Sequence, residues 1–253
     1  MKKVIIFIKE YWITMLIFAG LVVGYKVIAD NGLANTFLFP PVEGIMLSFE
    51  ENRETMFINM LHSMALLAPS IIISLLIALV VGTIVGMNKK LRKILHPVIY
   101  TFSVVPSILL SPFVLLMTPS FWWAALILIV YGTVWATLFA TITGIMTIDK
   151  RYLDNAATLE LHGLKRLTKI ILPAASPSIL SGFVNSLRSS FVMLVYAEMY
   201  GAKYGMGYFV RKYSEFGLYR HTWSGFIFMV IVLLIVMQIF ERIKDHMLRW
   251  TIN

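Results

Sequence analysis

The chain has 253 residues, 59% of them hydrophobic and only 14% charged, with a mean hydropathy of +0.81. A soluble domain of this size is not built so, which leaves a polytopic membrane protein. The net charge of +9 does not point to nucleic acid, because the cations are scattered over short segments beside apolar runs; the absence of cysteine excludes disulfides, CxxCH haem attachment and thiolate metal sites.

A hydrocarbon core of roughly 30 Å needs about 20 apolar residues per helix. Six such runs occur, near 11–29, 61–87, 97–117, 122–148, 174–199 and 222–241, and they are continuous rather than alternating. They predict an all-α membrane protein of six transmembrane helices rather than a barrel. The first run follows Lys2 and Lys3 in the manner of a signal peptide, but it is long, Ile28-Ala29-Asp30 is a poor cleavage site and five more spans follow, so it is read as retained.

In the outer segment 30–59, Val42, Ile45, Met46, Phe49 and Met56 share a face against Glu43, Glu50, Glu51, Arg53 and Glu54. This is the pattern of a helix lying in the interface, or of one packed on its own bundle. Gly82 and Gly86 in the second run suit close helix approach. Pro106 and Pro112 in the third free backbone carbonyls and bend or break that span; it either faces a pathway or is kinked at a packing contact.

Between the fourth and fifth runs, segment 149–173 carries five Lys/Arg, while Leu153, Ala157, Leu161, Leu164, Leu167 and Ile171 recur at helical steps. An amphipathic surface of this kind beside a bilayer is a docking handle for a soluble partner. The fifth run holds Ser178, Ser181, Asn185, Ser186, Arg188, Ser189 and Ser190, with Glu198 near its outer end. An arginine at mid-span costs roughly 2.5–3.5 kcal/mol and normally faces protein or water, so this helix is expected to line a pathway or a dimer seam. Arg188 either meets an anionic solute or pairs with an acid or carbonyls; Glu198 is read as structural or interfacial. In segment 201–221, Tyr204, Tyr208, Tyr213 and Tyr219, with Trp223 beyond, suggest an interfacial aromatic belt, or a surface met by an outer binding protein.

Orientation follows from the cations. With the N-terminus inside, 15 of the 22 Lys/Arg fall on inner segments, including Lys2, Lys3 and Lys9, the Lys89–Lys93 group and the 149–173 group; six fall outside, and Arg188 lies within a span. Both termini then face the cytoplasm. No linker or obvious internal repeat divides the chain, so residues 1–253 read as one membrane domain.

Four stretches in order resemble the membrane-spanning permease subunits of bacterial ATP-binding-cassette importers, of the nitrate/sulfonate/taurine type. They are Leu38-Phe39-Pro40-Pro41; the two-proline run 106–112; Ala197-Glu198-Met199-Tyr200-Gly201-Ala202 followed by Gly205-Met206-Gly207-Tyr208; and Ile170-x-Leu172-Pro173 closing the cytoplasmic segment. The resemblance implies a type I importer permease fold. It also implies a cytoplasmic coupling helix with the signature Glu-Ala-Ala, a later Gly, and Ile-x-Leu-Pro. Anchored on residues 170–173, the first part falls on Asp154, Asn155 and Ala156, and the Gly position on Glu160; a one-residue shift matches Asn155, Ala156 and Ala157 instead, with Gly163 supplying the turn. The coupling residues expected are thus Asp154, Asn155, Ala156, Ala157, Leu159, Glu160, Leu161, Gly163 and Leu164. Those of the pathway are Pro106, Pro112, Ser181, Asn185, Arg188 and Ser189.

No GxxxxGK[ST] occurs, so ATP is expected on a separate polypeptide and no cofactor on this chain. The partners implied are a cytoplasmic ATPase dimer, an extracytoplasmic solute-binding protein, a second copy of this chain and membrane lipid, at the bacterial inner membrane. His62, His96, His162, His221 and His246 are scattered without metal-ligand spacing, and only His62 falls near a bilayer edge, so metal sites and membrane proteolysis are not expected. The competing reading is an ion-gradient-driven secondary transporter or channel. It calls for intramembrane acids near the midplane, where this chain offers only peripheral Glu198.

Overall fold

The computed structural model describes residues 2–32 and 34–249, with side chains from Trp12 onward; those of Lys2, Lys3 and Lys9 lie outside the described set. Among the described residues there is no strand and there are ten α-helices: α1 (Lys2–Asp30), α2 (Val42–Met87), α3 (Lys89–Val104), α4 (Ser111–Met117), α5 (Phe121–Met146), α6 (Lys150–Thr158), α7 (Gly163–Arg166), α8 (Leu172–Gly201), α9 (Met206–Glu215) and α10 (Tyr219–Met247). A 3-10 turn (Ser107–Leu110) precedes α4, and a π turn (Leu167–Ile171) joins α7 to α8. Five helical runs are long and apolar enough to cross a membrane, and α3 with α4, bent by 82°, makes a sixth when taken as one broken span.

Small residues set the packing. Gly82 and Gly86 of α2 face Thr141 and Ile145 of α5, and Gly144 and Gly182, of α5 and α8, face Ser178 and Ala140 across the α5–α8 seam. The first pairing runs parallel and the second antiparallel, so the α2–α3 junction and segment 149–171 emerge at the same end of the bundle. Those are the basic segments assigned to the cytoplasm. Leu66, Leu67, Ile71, Ile129, Leu187 and Leu194 fill the core where α2, α5 and α8 meet. Helix α1 stands apart: only 6% of its apolar window is buried, and it is tied at its outer end by Tyr25, which donates to the Pro40 carbonyl at 2.8 Å, and by Lys26 against Glu43.

One feature differs from expectation. The amphipathic outer segment and the second span are one helix of 46 residues, about 69 Å long at 1.5 Å per residue and more than twice the hydrocarbon thickness, so its first turns project beyond the membrane. Of the expected apolar face, Ile45 and Met56 are buried but Met46 is 62% exposed; the buried stripe is Ile45, Ser48, Asn52, Met56, Asn59 and Ser63. This end packs on its own bundle: Ser48 meets His221 and Ser224 at 2.7 Å, and Tyr213 donates to Asn52 at 3.0 Å. The outer segment 201–221 contains α9; Tyr204 there stacks on His62, and Trp223 beyond it donates to the Leu38 carbonyl.

Candidate functional site

The cytoplasmic segment folds as a helical hairpin. Asp149 caps α6, accepting from the Arg151 amide at 2.9 Å while its other oxygen takes the Arg151 guanidinium at 2.6 Å. These bonds hold its carboxyl down at about 2. Helix α6 is closed off by Glu160, two residues past its last helical residue and the non-glycine residue with positive φ (50°) among the described residues. The Glu160 amide donates to the Ala157 carbonyl and the Leu161 amide to that of Ala156, the two bonds of a Schellman motif. Glycine is the residue this conformation prefers, and Glu160 is the position where the register anchored on residues 170–173 expects it. Gly163, φ 55°, makes a second left-handed turn into α7. The π turn follows, where Pro173 removes the N–H that an α-helix would give to Lys169.

The hairpin sorts its apolar residues into two groups. Ala156 and Ile171 are buried, Leu153, Leu161 and Leu167 half-buried, and Leu159 and Leu164 stand 65% and 77% exposed. Asp154, Asn155, Ala157, Glu160 and Gly163 are also exposed. The nine residues expected to couple run from the second half of α6 into α7; seven are exposed, while Ala156 is buried and Leu161 drawn inward, so the protruding apolar tips are Leu159 and Leu164.

On α8 the polar residues divide by face. Ser178 donates to the Ala140 carbonyl, Ser186 bonds Thr137 at 2.7 Å and Ser190 donates to the Leu187 carbonyl, so these three serve packing. Ser181, Asn185 and Arg188 form an exposed stripe flanked by half-buried Ser189. Arg188 donates to Asn185 Oδ1 at 3.0 Å and lies 3.8 Å from Glu241 of α10, yet its side chain stays 63% exposed. The acid partner and the open face are thus both present.

The third span breaks at its prolines. Pro106 deprives the Phe102 carbonyl of its helical donor and Pro112 deprives that of Ile108. The Tyr131 hydroxyl donates to Phe102 O at 2.6 Å and the Ser111 hydroxyl to Ile108 O at 2.7 Å. Both prolines are exposed. These hydroxyls add to the Val105 and Ser111 amides, which also donate to Phe102 O and Ile108 O, and were not singled out from sequence, although each proline fixes in advance which carbonyl loses its helical donor.

At the outer end, Glu198 is 2% exposed and takes Ser63 at 2.6 Å and the Gly207 amide at 2.7 Å. The Gly205 amide donates to Asn59 and that of Met206 to Ser63, both at 2.8 Å, so α2 holds the loop that follows α8.

The sequence pattern of the family described as binding-protein-dependent transport system inner membrane component matches residues 74–252, more than two-thirds of the chain. The chain belongs to this family. Among its relatives, the putative aliphatic sulfonates transport permease protein SsuC of Bacillus subtilis (strain 168) is 24% identical over 246 residues, covering 96% of this chain and 89% of that one. The bicarbonate transport system permease protein CmpB of Synechococcus elongatus is 26% identical over 168 residues, covering 66% and 59%. A chain of the MetNI methionine ABC transporter, solved in inward-facing conformations, superposes with a TM-score of 0.66 at 14% identity, covering 78% of this chain and 98% of that one, and so shares the fold. The protein is therefore the permease subunit of an ATP-binding-cassette importer, a non-catalytic multi-pass component of the plasma membrane whose ATPase is a separate chain. Membership implies ATPase and binding-protein partners, and the secondary-transporter reading is not favoured.

Proposed function

We propose that segment 149–173 carries the surface gripped by the ATPase, which binds the ATP, and that Leu159 and Leu164 seat in its groove. The observation that carries this reading is the pair of leucines, 65% and 77% exposed on a capped hairpin at the basic end of the bundle. Apolar tips held out on a rigid turn transmit a rigid-body motion to α8 through the continuous α7–π–α8 path. The whole chain, residues 1–253, acts as one permease domain. Two copies pair across the uncovered α8 face, with Ser181, Asn185, Arg188 and Ser189 along the pathway and Pro106 and Pro112 shaping the broken third span beside it. The solute is a small anion: Arg188 is the cation on that face, and relatives are named for aliphatic sulfonates and bicarbonate.

The test is reconstitution with the partner ATPase and binding protein. Leu159→Asp/Leu164→Asp is expected to abolish ATPase capture and solute-stimulated hydrolysis while the thermal unfolding of the permease alone is unchanged, because both side chains are solvent-facing. Full capture by this variant overturns the docking assignment. For the pathway, Arg188→Gln is expected to cut anion uptake with ATPase capture intact, and equal uptake by that variant removes Arg188 from the pathway.

A further inference from the structure

The first turns of α3 carry a feature that coupling and transport do not use. Lys89 lies three and four residues before Arg92 and Lys93, and His96 four and three residues after them, so all four fall in a stripe on one helical face. That stripe borders a cleft of about 560 Å³ against the cytoplasmic end of α5, floored by Phe139, Ile142 and Met146. Lys90, off the stripe, does not line it.

The charges in this cleft are not neutralised from within. No acidic residue lines it, and among the described residues Lys89, Arg92 and Lys93 make no ion pair. Arg92 donates to the Gly86 carbonyl at 2.8 Å, which fixes its guanidinium at the mouth. Asp149, three residues beyond Met146, is held by Arg151. Asn88 caps α3, accepting from the Lys90 and Leu91 amides at 3.0 and 3.1 Å, so the turn bearing the cations is anchored.

We propose that this cleft binds the phosphate headgroup of an anionic phospholipid of the cytoplasmic leaflet. Lys89, Arg92 and Lys93 hold the phosphate, and an acyl chain lies on Phe139, Ile142 and Met146. The depth suits it, since α2 and α5 both end here, at Met87 and Met146, on the side where the cations place the cytoplasm. A free anion uses only the rim of such a site; a lipid satisfies the cations and covers the apolar floor together.

The experiment is native mass spectrometry of the intact permease–ATPase complex released from micelles containing equal amounts of phosphatidylglycerol and phosphatidylcholine. Wild type is expected to retain phosphatidylglycerol selectively. Lys89→Gln/Lys93→Gln is expected to weaken retention about 30-fold, at a factor of about five per surface lysine. Arg242→Gln/Arg249→Gln, which removes the same charge elsewhere on the cytoplasmic side and outside the coupling segment, is expected to leave it unchanged. Thr143→Trp, a charge-neutral change from an exposed position bordering the cleft, is expected to exclude the lipid as well and separates loss of the site from loss of charge. Undiminished retention by the lysine pair or by Thr143→Trp overturns the proposal, as does equal loss in the Arg242/Arg249 control. Displacement of the lipid by millimolar inorganic phosphate also overturns it, in favour of a free-anion site.

Discussion

Gly205 lies so close over the Glu198 carboxyl that a Cβ added to it would stand 2.4 Å from Cδ, and its φ of 119° is closed to other residues. The loop after α8 is thus laid directly on a buried acid that Ser63 and the Gly207 amide also bind. Gly205→Ala is expected to destabilise the protein by about 1–3 kcal/mol from the backbone conformation alone, read as a lowered thermal midpoint in detergent. A midpoint within error of wild type would mean that the loop is free to lift from the acid.

The Glu198 side chain gives a ranked prediction. Glu198→Ala strands the Ser63 hydroxyl and the Gly207 amide, at about 1–3 kcal/mol for each buried unpaired group. Glu198→Gln keeps an oxygen for Gly207, and its amide can donate to Ser63 once that hydroxyl rotates, so it is expected to lose much less. Unfolding of both variants in detergent checks the order; equal losses would place the requirement in the charge rather than in the hydrogen bonds.

The spans and the basic end of the bundle were legible because lipid makes composition decisive: a run such as 122–148 has no other use. The helical character of the cytoplasmic segment was legible too, since its leucines repeat at helical steps, whereas the Asp149 cap was not read from it. The stripe Ser48, Asn52, Asn59 and Ser63 was not, because its partners lie on other elements: Ser48 reaches His221, Asn59 reaches Gly205, and Ser63 reaches Glu198, each more than 130 residues away in sequence. A local pattern assigns such polar residues to the wet face. The left-handed turn at Glu160 was visible only through the resemblance, since glutamate gives no turn signal of its own.

That turn carries its own prediction. Glu160 is exposed, so Glu160→Gly loses no packing and relieves a left-handed non-glycine residue, a gain of about 1 kcal/mol. The Leu161 amide, bonded to Ala156, is expected to exchange about fivefold more slowly in the variant when measured by hydrogen–deuterium exchange. Faster exchange would show that the glutamate side chain supports the turn.

The broken third span is tested by distance, since the chain has no native cysteine to interfere with labelling. Ile94→Cys and Leu116→Cys place labels at exposed positions on either side of the 82° bend. A continuous helix would separate their Cα atoms by about 33 Å, and the bend holds them closer. Pro106→Ala restores the helical N–H for Phe102 and, with Tyr131→Phe removing the side-chain donor, is expected to lengthen the interspin distance toward the straight-helix value. An unchanged distance would assign the bend to packing of Ser107 against Met193.

Gly182 gives the last prediction, and its sign is diagnostic. Glycine to alanine inside a helix normally gains up to about 1 kcal/mol. A Cβ on Gly182 would meet that of Ala140 at 2.2 Å and the Ala136 carbonyl at 2.9 Å, both on α5. Neither neighbour can swing aside, so the helices must part and the Thr137–Ser186 bond at 2.7 Å must stretch. Gly182→Ala is therefore expected to cost about 2–3 kcal/mol in overpacking. Gly44→Ala in α2, with nothing within 4 Å of its Cβ, is expected to be neutral or stabilising. Thermal unfolding of the pair in one detergent reads the contrast; a stable Gly182→Ala protein would show that α5 and α8 do not meet at this contact.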